Sequence, residues 1–164
     1  LPYTDDVVAF LAARAAHVQD VVELPFAIEN LSSYVAFQQS SMTEWEFYRA
    51  VVEQAGCYMM LDLNNVYVSS VNHQFDPWDY LKHMPWDRVI QVHVAGHTVK
   101  PNGTILDTHD AYVVDTVWEL YRYAVQQTGG VSTILEWDDK FLSFPETWEE
   151  ALKARHFQQR DEVA

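Results

Sequence analysis

The chain has 164 residues, ten Lys plus Arg against twenty-four Asp plus Glu, a formal net charge of -14, and 49% hydrophobic residues. That balance excludes a disordered or low-complexity polymer and suits one globular domain large enough to own a core. The acidic excess repels phosphate backbones, the cations are dispersed, and no run reaches the ~20 apolar residues of a bilayer span, so neither nucleic acid nor membrane is an expected partner.

Thr4, Asp5 and Asp6 mark a helix start, and Val7, Val8, Phe10, Leu11, Ala15 and Val18 keep a helical period to about Gln19. Leu24-Pro25-Phe26-Ala27-Ile28 reads as a buried strand ending at Glu29, with Pro25 tolerated only at its entrance. Thr43 and Glu46 make a capping box that opens a helix to about Ala55, stopped by Gly56. Tyr58-Met59-Met60-Leu61 is a second strand, ending at Asp62. A loop carrying Asn65 and His73 follows, before Asp76-Pro77 opens a short helix through about His83. Val89-Ile90-Gln91-Val92 is a third strand, ending at His93. After a long connection, the apolar positions from Val113 to Val125 predict a helix that ends before Gly129. Ser132-Thr133-Ile134-Leu135 is the fourth strand, ending at Glu136, and Ser143 with Glu146 opens a last helix to about Gln158. Helix and strand alternate, and the strands are apolar on both faces. The predicted class is α/β, a parallel sheet covered by helices.

Each predicted strand ends in a metal-ligating side chain: Glu29, Asp62, His93 and Glu136. In parallel α/β architectures those ends share one face, where sites gather. Any one alone has an ordinary structural explanation, such as Asp62 capping a turn; four at one structural phase point to a site, since ionisable groups are rarely buried unpartnered. Asn65 lies three positions after Asp62, and Asp107-Thr108-His109 sets a carboxylate and an imidazole two apart, so an extended loop points both one way. Together these are more ligands than one cation needs, which suggests two or three metals, and oxygen and imidazole donors suit Fe, Mn or Zn. His97 is a candidate hydrogen-bond donor to a ligand or a substrate contact, and Asp138 a candidate proton acceptor near the metals. His17, His83 and His156 fall on predicted helix surfaces, and Trp118 and Tyr121 in the core. Cys57, the single cysteine, excludes an internal disulfide and reads as a buried small hydrophobe in a chain from a reducing, cytoplasmic compartment.

Pro2-Tyr3-Thr4, Glu29-Asn30-Leu31-Ser32-Ser33-Tyr34, Leu61-Asp62-Leu63-Asn64-Asn65-Val66-Tyr67, His93-Val94-Ala95-Gly96-His97, Asp107-Thr108-His109 and Glu136-Trp137-Asp138 together resemble the multinuclear non-haem iron-dependent oxidative enzymes, the family of the methanobactin-biosynthesis oxidase. The six motifs cover essentially the whole chain. The resemblance implies a xylose-isomerase-like TIM barrel with two or three irons at its C-terminal mouth. By that layout Glu29 and Glu136 bridge or flank irons, Asp62 and His93 complete one site, and Asn65, Asp107 and His109 hold another. It further implies dioxygen-dependent oxidation of cysteines or nearby backbone in ribosomally made precursor peptides, commonly with a partner protein that presents the precursor.

The departure is at the front. A TIM barrel needs about 250 residues, and four strands are visible here. The opening Leu1-Pro2-Tyr3-Thr4 carries no initiator Met and no signal-peptide pattern. The expectation is one incomplete barrel domain over residues 1–164, the C-terminal part of a larger barrel, lacking the histidine ligands of one metal site and leaving its first strand as an unpaired edge. Such a chain in isolation is expected to associate, misfold or bind metal weakly. Two other readings stand beside the oxidase: a Mn- or Zn-dependent sugar isomerase or hydrolase on the same barrel, and a truncated, catalytically inactive metal-binding fragment. Against an endonuclease, the charge of -14 already speaks.

Overall fold

The computed structural model describes residues 1–158. In chain order the elements are α1 (Asp5–Val22), β1 (Ala27–Glu29), α2 (Glu44–Ala55), β2 (Tyr58–Asp62), α3 (Leu63–His73) and α4 (Pro77–Lys82). A single 3-10 turn at Trp86–Arg88 then leads into β3 (Val89–Val94), β4 (Thr98–Val99), β5 (Ile105–Leu106), α5 (Asp115–Thr128), β6 (Ser132–Leu135) and α6 (Phe144–Gln158). Strands β1, β2, β3 and β6 form one parallel sheet in that order, and β4 and β5 form a separate antiparallel ribbon. The expected α/β alternation and parallel sheet are both present.

Three local expectations change. The first strand is three residues long instead of five, because Pro25 has no N–H to give a ladder and Leu24 stays two-thirds exposed; pairing begins only where the Tyr58 N–H reaches the Phe26 carbonyl. The segment after β2 is the helix α3 rather than a loop: the Asp62 carboxylate caps it by accepting the Asn65 N–H at 2.7 Å. Helices also cover only one face of the sheet among the described residues. Met59, Leu61 and Val92 are fully buried on that face, in a core shared with Val66, Val117, Leu120 and Tyr121. The opposite face carries Gln91, Ser132 and Ile134, and Ile134 is 41% exposed. Truncating a fully buried residue such as Leu61 to Ala costs about 2–5 kcal/mol, so the covered face anchors the sheet.

The Thr43 capping box forms as expected, with the hydroxyl accepting the Glu46 N–H and the Glu46 carboxylate accepting the Thr43 N–H. At α6 both the backbone N–H and the hydroxyl of Ser143 donate to Glu146. Trp118 and Tyr121 are core residues, Cys57 is fully buried, and His17, His83 and His156 are exposed. Burial pushes the Cys57 thiol up, away from thiolate chemistry.

Candidate metal centre

Register decides where the strand-end side chains go. Asp62 pairs with His93 and His93 with Ile134, while Glu29 pairs with Met60, two positions before Asp62. Glu136 lies two positions beyond Ile134. Side chains in a strand alternate with period two, so Glu29, Asp62, His93 and Glu136 all project from the face that the helices leave open. One donor atom from each lies within 4.8 Å of the others. His93 Nδ1 is 3.2 Å from Glu136 Oε2, 3.4 Å from Glu29 Oε1 and 4.0 Å from Asp62 Oδ2.

Three carboxylates around one imidazole are electrostatically costly. Burial raises the Glu29 pKa, with the neighbouring Glu136 adding to it, and burial pushes Asp62 up to about 8. Asp62 Oδ2 and His93 Nε2 are buried without hydrogen-bond partners among the described residues. Burying unpartnered acceptors costs about 1–3 kcal/mol each. A cation among these oxygens, met by His93 through Nδ1, would offset the carboxylate crowding and satisfy Asp62 Oδ2, and the donor set fits Fe, Mn or Zn.

A second group lies beside the first. His109 Nδ1 is 3.1 Å from Asp138 Oδ2 and 3.5 Å from Glu136 Oε2, so Glu136 belongs to both groups. On the other edge of the ring, His109 Nε2 meets Asp107 Oδ1 at 2.6 Å. The Asp107 hydrogen bond pushes His109 up to about 9, against the opposing effect of burial. Asp107 is itself held below the usual carboxylate range, because the His109 bond and charge, with donors from Ser32 and Asn64, outweigh its burial. The Asp107–Thr108–His109 segment is not extended, since His109 sits in the left-handed region at φ +47; the bend is what turns the imidazole onto Asp107. Asn65, in the first turn of α3, has its Oδ1 buried without a partner. Asp138 is the most open member, with 64% of its side chain exposed.

His97 does not reach a carboxylate of either group. Its Nδ1 bonds Asn64 Oδ1 at 2.8 Å, its ring packs on Tyr67, and Asn64 in turn donates to Asp107 Oδ1 at 2.7 Å. Burial lowers the His97 pKa, favouring neutral imidazole. His73, placed in a loop by the sequence, ends α3 with its Nε2 3.0 Å from the Ser33 carbonyl.

Four positioning residues escape sequence reasoning. Ser32 and Asn64 hold Asp107, Asn30 ties β1 to Asp62, and Gly96 lets two site loops touch. A Cβ on Gly96 would lie 2.0 Å from the Ala111 carbonyl oxygen, while the Gly96 carbonyl accepts the His109 N–H at 3.1 Å. Uncharged amides and hydroxyls carry no charge signal. The available hint was their place inside the motifs, immediately beside the ionisable residues.

The model of a family described as RiPP precursor modification enzyme MbnB/TglH/ChrH matches residues 1–159. A UPF0276 protein of Paraburkholderia phytofirmans is 40% identical over 168 residues, covering 100% of this chain and 55% of that protein. Another UPF0276 protein, from Anaeromyxobacter sp., is 48% identical over 139 residues, covering 85% of this chain and 49% of its own length. A third, from Acaryochloris marina, is 43% identical over 154 residues, covering 94% and 55%. The chain spans about half the length of the curated relatives it matches. No helix among the described residues is long and apolar enough to cross a membrane.

Proposed function

This chain belongs to the family of RiPP precursor modification enzymes MbnB/TglH/ChrH, and from that premise we propose that it carries part of an iron centre for dioxygen-dependent oxidation of cysteine-containing precursor peptides. The observation that carries the reading is the convergence of Glu29, Asp62, His93 and Glu136 on one open sheet face, with His109 and Asp138 adjoining through Glu136. Glu29, Asp62, His93 and Glu136 would hold one metal; Asn65, Asp107 and His109 would hold another, with Glu136 between them. Iron bound there would supply the redox chemistry with dioxygen.

The protein's own groups have separable tasks. The open face admits an extended peptide across the strand ends. Asp138, exposed at the edge and hydrogen-bonded to His109 through Oδ2, keeps Oδ1 available to accept a proton from the peptide. His97 stays neutral and, anchored by Asn64, presents its ring edge as a substrate contact. A partner protein that presents the precursor belongs to the same proposal, as does a cytoplasmic location.

The sheet is read as part of a (β/α) barrel. β1 and β6 each pair on one side only among the described residues, and the ligand positions climb along the sheet from Glu29 to Glu136. Such a stagger suits a tilted barrel wall, whose open face becomes the lumen.

The test is anaerobic reconstitution of the full-length protein with Fe(II), exposure to dioxygen with a cysteine-containing precursor peptide encoded nearby, and mass spectrometry. A peptide mass lowered by loss of hydrogen or changed by oxygen supports the proposal; unchanged masses for every neighbouring precursor refute it. Activity with Mn(II) or Zn(II) alone, without dioxygen, would favour the isomerase or hydrolase reading instead.

A further inference from the structure

We infer that Asn30 is a positioning residue that aims the Asn65 carbonyl into the centre, by continuing the β1–β2 ladder with a side chain. The inference rests on the metal reading above. β1 stops at Glu29, whereas β2 runs on to Asp62. In a parallel ladder the N–H and C=O of one residue face the same neighbouring strand. Those of Asp62 therefore face a strand that has already ended.

The Asn30 amide fills that gap. Its Oδ1 accepts the Asp62 N–H at 2.9 Å and its Nδ2 donates to the Asp62 carbonyl at 2.9 Å. Because a backbone N–H only donates and a carbonyl only accepts, the two bonds fix which end of the Asn30 amide is which. Asn30 is fully buried, so no water competes for these groups.

The same logic passes to Asn65. The Asn30 backbone carbonyl accepts from Asn65 Nδ2 at 2.9 Å, which turns Asn65 Oδ1 the other way. The Asn65 N–H meanwhile holds Asp62 Oδ1 at 2.7 Å, leaving Asp62 Oδ2 free. Asn30, Asp62 and Asn65 thus close a ring of four hydrogen bonds, with two buried oxygens left over: Asp62 Oδ2 and Asn65 Oδ1. A ring that leaves two fully buried oxygen acceptors without a donor is organised for a cation, since a purely structural brace gains nothing from bare acceptors.

The experiment loads the full-length protein and its variants anaerobically with Fe(II), and separately with Mn(II), measuring ions per chain by elemental analysis, affinity by titration and the metal-free melting midpoint. Asn65→Ala and Asn30→Ala should each weaken binding about 10–100-fold, and the double variant should fall well short of the product of the two. Singles that multiply, or an Asn30→Ala affinity within about threefold of the parent, overturn the inference. Should Asn30→Ala not fold, Asn30→Asp carries the test: it keeps the acceptor for the Asp62 N–H but loses the donor, and unchanged metal affinity overturns the inference. A parent chain that binds neither ion overturns the metal reading itself, a result distinct from normal parent binding with an indifferent Asn30.

Discussion

Glu29, Asp62, His93 and Glu136 leave the ends of adjacent strands in one sheet, whereas Asn65, Asp107, His109 and Asp138 come from a helix turn and two irregular segments. The strand half inherits its geometry from the ladder: once Asp62 pairs with His93, both side chains must point the same way. No such rule places the loop half. Its side chains are held by a close approach at Gly96, donors from Ser32 and Asn64, and an ion pair between Asp110 and Lys140 joining the His109 and Asp138 loops. A centre of this kind has one half that fails only with the sheet and another that fails by local contacts, so the two should separate under mutation.

The largest separation is expected from Gly96→Ala. The new methyl would overlap the Ala111 carbonyl, so the segment carrying His109 must move. Overpacking of this order costs about 3 kcal/mol. Thermal melts should show that loss, and metal analysis should show the loop half emptied with the strand half still loaded. A variant that melts like the parent would mean that the two segments are not in fixed contact.

Next come the ligands themselves. Glu136 faces both imidazoles, so Glu136→Gln should weaken both halves. Among the described residues the Asp107 carboxylate hydrogen-bonds only to His109, Asn64 and Ser32, so Asp107→Asn should weaken the loop half alone, about 10–100-fold. Titration of each variant with Fe(II) or Mn(II) checks this. Equal losses from the two substitutions would remove the division between the halves.

The same division explains what could be read from sequence. Strand ends announce themselves, because an apolar run terminates in an ionisable residue, and all four such residues do meet. The Asp107–Thr108–His109 spacing likewise showed two donors, although a bend, not an extended chain, brings them together. α3 was hidden because Asn64, Asn65, Ser69 and Ser70 take four of its seven buried positions, so hydrophobic periodicity is broken; those side chains face polar partners rather than core. β4 and β5, two residues each, are too short to leave a pattern. The open face of the sheet was missed because apolar runs signal burial without saying what does the covering.

A moderate effect is expected from pH in the metal-free chain. Asp62 has a folded pKa near 8, raised by burial above an unfolded value of about 3.9, so its contribution is greatest at acid pH and declines as pH rises from about 4 to about 8. His109, raised to about 9 by Asp107, stabilises below its unfolded value of about 6.5 and loses that contribution as pH climbs through 9. Asp110 runs the other way: Lys140 and Thr108 lower it to about 2, so its contribution is present above about 4 and is lost as pH falls toward 2. Melting midpoints against pH should therefore fall on both sides. Asp62→Asn should flatten the alkaline limb and Asp110→Asn the acid limb; the reverse assignment would contradict the stated environments.

The smallest effect concerns Lys140, which joins the loops under two opposing influences. Its ammonium pairs with Asp110, yet 66% of its side chain is exposed, so solvent screens the pair and it contributes little. Its backbone sits at φ +49, a left-handed conformation that costs a non-glycine residue about 1 kcal/mol. Lys140→Ala keeps the backbone cost and loses the pair, so it should destabilise slightly. Lys140→Gly loses the pair but removes the cost, and should melt at or just above the parent. Both should loosen the loop half, read as weaker metal binding there with the strand half unchanged. If Gly and Ala behave alike, the left-handed turn is not under strain, and the loop half is held by Gly96 and the Asp107 contacts alone.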